Sequence, residues 1–141
     1  LKKYKKYLEE FTQGVKEVTD SLYIHYKQGW SSFSRVDEHM VEYIIENNEI
    51  TVFYNIGFRA GKTTTKKISD NDMRTLLGIM NEAVVMNALG ESGTAVRAEH
   101  GTIWCYSYDY RGCCGRDCYF LFTNEILSDR YGKLIDRITK K

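Results

Sequence analysis

The spacing of apolar residues changes period along this chain, and that change decides which folds are open to it. In the first segment Tyr4, Leu8, Phe11, Val15, Val18, Leu22 and Tyr26 recur every three or four residues. This spacing predicts one stripe on a long helix, with Gly29 as its stop. Ser34 and Asp37 have the spacing of a capping box, and Met40, Val41, Ile44 and Ile45 follow, so a short second helix is expected up to Asn47-Asn48. From Glu49 to Gly57 the period drops to two: Ile50, Val52, Tyr54 and Ile56 alternate with Thr51, Phe53 and Asn55, the mark of a strand. The β-branched run from Thr63 to Ile68 pairs back on it.

A second capping box, Ser69 with Asp72, opens a helix carrying Met73, Leu76, Leu77, Met80, Ala83, Val84 and Ala88, with Gly90 as its end. Three strands are expected next, over Thr94–Glu99, Thr102–Tyr110 and Asp117–Thr123. A last helix presents Leu127, Tyr131, Leu134, Ile135 and Ile138. The order ααββαβββα, dominated by hairpins, predicts an α+β fold: a mainly antiparallel sheet of about five strands packed with three to four helices.

The chain has 141 residues, no proline and no repeat or linker-like stretch, so residues 1–141 read as a single α+β domain. A domain of this size buries roughly two-thirds of its unfolded surface and needs no disulfide or metal merely to fold. Formal net charge is +1, so no global field draws the chain to nucleic acid or anionic lipid. No apolar stretch approaches the ~20 residues that a membrane-spanning helix requires. The first residues, Leu1-Lys-Lys-Tyr-Lys-Lys-Tyr, show no apolar signal core, which makes a reducing cytoplasm the expected compartment.

Gly57-Phe-Arg-Ala-Gly61-Lys62-Thr63 imitates a phosphate-binding loop but has three residues between its glycines where four are needed. The β-branched residues after it favour strand over the helix whose N-terminus would face the phosphates. A plain hairpin is the better reading, and no nucleotide is expected.

All four cysteines fall within fourteen residues: Cys105, Cys113, Cys114 and Cys118. Cys113, Cys114 and Cys118, with Cys105 as one choice of fourth ligand, could hold zinc, the one cofactor the sequence suggests. The spacing lacks the usual Cys-x₂-Cys knuckle. Arg111 and Arg116 would favour thiolates, which makes thiol-redox chemistry a second option. A Cys–His nucleophile finds no cue tying a histidine to a cysteine, so the chain reads as a binding or regulatory protein before an enzyme. The remaining alternative is that small thiols simply fill a hairpin, with Cys105 in the core.

If residues 102–123 form a two-stranded ribbon, thiols and rings sort to opposite faces. Trp104, Tyr106, Tyr108 and Tyr110 then point together, joined by Tyr119 and Leu121, with Arg97 opposite Trp104 across a His100-Gly101 turn. Stacked bases would want a strongly basic groove, which is lacking. Tyrosine and tryptophan are what protein interfaces prefer. The expected partner of this aromatic face is a protein, or a second copy of the chain in a homodimer. A helix covering the face is the competing expectation.

Overall fold

The computed structural model describes residues 19–29, 39–56, 61–89, 93–109 and 121–140. Six strands make one sheet: β1 (Ser21–Gly29), β2 (His39–Glu46), β3 (Glu49–Ile56), β4 (Thr63–Lys67), β5 (Thr94–Glu99) and β6 (Thr102–Asp109). Two helices, α1 (Asp70–Val85) and α2 (Glu125–Thr139), complete the described elements. The spatial order is β4-β3-β2-β1-β6-β5. The first four strands form an antiparallel meander, α1 carries the chain to the far edge, and the β5–β6 hairpin returns to lay β6 parallel to β1. The expected five antiparallel strands with three to four helices give way to a mixed sheet of six strands, one parallel pair and, among the described residues, two helices.

Where helix was expected over Leu22–Tyr26 and Met40–Ile45, strands stand instead, and the cause is the same in both. Leu22 and Tyr26, four residues apart, are as well in phase on a strand as on a helix, because four is an even number. In β1 Leu22, Ile24 and Tyr26 are buried while Tyr23, His25 and Lys27 between them are half-exposed. In β2 Tyr43 and Ile45 are buried and Glu42 and Ile44 are not. The aromatic and β-branched content suits a pleated, half-buried surface. Between β2 and β3, Asn47 and Asn48 take φ values of 51° and 60°. Positive φ at both central residues is what a two-residue hairpin turn requires, and asparagine adopts it readily. The amino-terminal part of the expected first helix, and the Ser34/Asp37 capping box, lie outside the described residues.

Of the strand expected over Asp117–Thr123, only residues 121–123 are described, and they lie outside the six strands. β6 has β5 on one side and β1 on the other, so no edge of it is left for a third partner over Thr102–Ser107. The ribbon expected over 102–123 therefore finds no free edge over Thr102–Ser107. In its described part, Phe122 makes an isolated antiparallel bridge to Leu89, and Leu121, expected on the aromatic face, is fully buried in the core. Residues 110–120 lie outside the described segments.

The later helices follow their sequence signals. Ser69 Oγ accepts from the Asp72 amide at 3.1 Å, capping α1. The helix stops before Gly90: Asn87 turns to φ 52°, and the Ala88 amide donates back to the Ala83 carbonyl at 2.8 Å. Asparagine here does the work of a glycine stop. Asn124 Oδ1 caps α2 by accepting from the Ile126 and Leu127 amides at 3.0 and 3.1 Å. At its other end Lys66 Nζ donates to the Thr139 and Lys140 carbonyls at 3.2 and 2.7 Å, neutralising the negative end of the helix.

Both helices pack on one face of the sheet. Leu76, Ile79, Met80, Ala83 and Val84 of α1, and Leu127, Tyr131, Leu134 and Ile135 of α2, join Leu22, Ile24, Tyr43, Ile45, Ile50, Val52, Val96 and Ile103 in a single core. Each large apolar side chain buried there contributes about 1.5–3 kcal/mol. Tyr43 and Tyr131 hydrogen-bond through their hydroxyls inside it, which satisfies polar tips that burial would otherwise penalise. Asn81 clasps the chain ahead of β1, accepting from the Thr19 amide at 3.0 Å and donating to its carbonyl at 2.8 Å.

Candidate functional site

The alternation that sends Leu22, Ile24, Ile103 and Cys105 under the helices sends their neighbours to the other face. No described helix covers that face. Register lines its side chains up in rows across the strands: Trp104 lies between Arg97 and Tyr23, and Tyr106 between Ala95 and His25. Ile44 adjoins His25 on one side and Thr51 on the other, and Glu42 lies between Lys27 and Phe53.

The Tyr23 and Trp104 rings meet at 4.8 Å between centroids with a 39° tilt, and His25 meets Tyr106 edge-on at 4.9 Å. Trp104 remains 36% exposed. Such contacts hold the rings in place without removing them from solvent, so they form a surface set in advance. Glu42 bonds to His25 Nε2, orienting the imidazole. Arg97 Nε pairs with Glu99 at 3.1 Å. Burial, and then the negative charges of Glu46 and Glu42, push the Tyr23 phenol above its ordinary value.

At the end of the sheet where β1 begins, this face runs into a cleft of about 490 Å³. Tyr23 and Trp104 form one wall, and Met73, Arg74 and Leu77 of α1 contribute to another. Asp20, Glu46 and Asp70 also line it. Asn48 Nδ2 donates to Asp70 at 3.1 Å, whereas Asp20 and Glu46 have no ion-pair partner among the described residues.

Of the residues singled out in the sequence, Trp104, Tyr106 and Arg97 share the open face, with Arg97 opposite Trp104 across a turn in which His100 and Gly101 have φ of 51° and 76°. Tyr108 takes the register position beside Lys27, and Tyr110 and Tyr119 lie outside the described residues. Cys105 is on the helix-covered face, 1% exposed, between Ile24 and Val96. Its thiol is free, and burial alone pushes its pKa far up, so it stays protonated and is a poor nucleophile or ligand as it stands. Cys113, Cys114 and Cys118 lie outside the described residues, and among those described no group of three metal-ligating side chains converges. The Gly57–Gly61 hairpin is described only from Gly61 onward; Lys62-Thr63 leads into β4 and not into a helix.

Tyr23, His25, Glu42 and Ile44 do not stand out in the sequence, because a helical spacing runs across them. The signal was the strict alternation in Leu22-Tyr-Ile-His-Tyr26, masked by a helical stripe read across it. Comparison with protein families, with characterised proteins and with solved structures finds no match to this chain. No helix among the described residues is long and apolar enough to cross a membrane.

Proposed function

We propose that this chain is a small binding or regulatory domain of the cytoplasm that docks protein through the open face of its sheet, and that the face first accepts a second copy of itself. The observation that carries the reading is the exposed Trp104 ring, set against Tyr23 on a sheet face that no described helix covers, beside His25, Tyr106 and Ile44. Aromatic area with polar tips is the composition of interface centres. A two-fold interface also needs a surface complementary to itself. Both signs of charge are interspersed here: Lys27, Lys67 and Arg97 against Glu42, Glu46, Glu49 and Glu99. A net charge of +1 adds little repulsion between copies.

Sedimentation velocity on the full chain, at concentrations up to about 100 µM, tests this, since a weak but specific dimer falls in that range. A dimer is expected, and Ile44→Lys, which places a charge in the middle of the face, weakens it by about a hundredfold or more. A monomer throughout, or a dimer indifferent to Ile44→Lys and Trp104→Ala, overturns the reading.

A further inference from the structure

We infer that the cleft at the end of the sheet is a pocket for a basic side chain, an ammonium or guanidinium group presented by a docked protein. The inference deepens the docking reading, because Tyr23 and Trp104 belong both to the open face and to the wall of the cleft. Three observations converge on a cation. The volume, about 490 Å³, is ample for a lysine or arginine side chain and lies within the range of specific ligand sites. One wall is an exposed tryptophan held against a tyrosine at 4.8 Å, and the negative face of an indole ring is the best aromatic partner for a cation. Glu46 and Asp20 reach the same space without ion-pair partners among the described residues.

Arg74 of α1 also lines the cleft, one positive charge against three carboxylates. The lining thus carries a net negative charge, and neither Asp20 nor Glu46 has an ion-pair partner among the described residues. The Tyr23 phenol is raised first by burial and then by Glu46 and Glu42, and the latter part is a second sign that the potential here is negative. Apolar Leu22, Met73 and Leu77 also line the cleft. They suit the methylene stem that a lysine or arginine buries behind its charged head. A neutral apolar side chain would fit the same walls but leave both carboxylates unanswered, so charge and not shape sets the preference.

The test is an NMR titration of the full chain with acetyl-Gly-Lys-Gly-amide, acetyl-Gly-Arg-Gly-amide and the neutral acetyl-Gly-norleucine-Gly-amide. The lysine or arginine peptide is expected to shift the Trp104 indole and Tyr23 signals and to bind at least about tenfold more tightly than the norleucine peptide. Glu46→Gln, at an exposed position, is expected to reduce that preference about threefold or more while the rest of the spectrum stays native. Equal binding of charged and neutral peptides, shifts that bypass Trp104, or a preference untouched by Glu46→Gln would each overturn the pocket. n-Butylamine binding as tightly as the peptides would overturn a protein source for the cation. Ile44→Lys lies away from the cleft and retains the peptide shift even where self-association has failed, so the two readings stand on separate measurements.

Discussion

The two faces of this sheet are built from the same strands, yet they answer to different demands. Under the helices, alternate residues of β1, β2, β3 and β6 are almost all apolar and close to fully buried. Across the backbone from them stand Tyr23, His25, Glu42, Trp104 and Tyr106, amphipathic or charged, with the apolar Ile44 among them, all partly exposed. The first face is specified by volume, and any loss of it is felt by the whole fold. The second is specified by what it presents to the outside. Mutations on one should therefore change stability, and mutations on the other should change association.

The largest effect expected is on the covered face. Ile24→Ala, in a central strand with its side chain wholly buried, should cost about 2–5 kcal/mol in urea denaturation, since a rigid core closes only partly over the lost methyls. A loss of less than about 1 kcal/mol would mean that the core is far looser than its burial implies. Tyr43→Phe removes one hydroxyl of the buried Tyr43–Tyr131 pair and should cost about 1–3 kcal/mol by the same assay.

Alkali sharpens the contrast further. The Cys105 thiol and the Tyr23 phenol both ionise at higher pH when folded than their ordinary values of 9.0 and 10.0. The unfolded chain therefore loses those protons first. Stability is fully present below pH 9.0 and falls as pH climbs past that value, first through Cys105 and then through Tyr23. Cys105→Ala should flatten the first part of the decline in urea midpoints, and Tyr23→Phe the later part. In the native protein Cys105 should resist a thiol reagent until urea unfolds it.

Lys66→Met, which removes the charge at the end of α2, should cost about 1 kcal/mol. Smallest of all, Trp104→Ala should move thermal stability by about 0.5 kcal/mol or less while weakening self-association. If Trp104→Ala destabilised the fold as strongly as Ile24→Ala, the distinction between the faces would collapse.

What could be read ahead of the structure divides along the same lines. The α1 segment carried a cap at Ser69, both helical segments carried one-sided stripes, and the β5–β6 hairpin carried His100-Gly101 between alternating runs; these elements stand where they were expected. The errors lay where two periods share positions. A spacing of four satisfies both helix and strand, so Leu22 and Tyr26 could not arbitrate, whereas Tyr23, Ile24 and His25 between them could have done. Asn47-Asn48 read as a helix end when it was a hairpin turn. Part of the open face lies on β1 and β2, where helix was expected, which is why Trp104, Tyr106 and Arg97 were legible as a site but their neighbours Tyr23 and His25 were not. The pairing of β6 with β1 had no local signature, because nothing near Thr102 indicates that its neighbour lies as far back as Ser21.

That parallel pair also governs how the molecule must come into being. β1 leads a meander, but it meets β6 only after the chain has run on through Lys67, α1 and β5. Closing so long a loop before any reward arrives is slow. During synthesis the half-made sheet would expose an unpaired central strand, the kind of edge on which neighbouring nascent chains pair wrongly. The step that seals the architecture is therefore the one that leaves it most vulnerable, and expression yield should depend on how quickly residues 94–109 follow the first four strands.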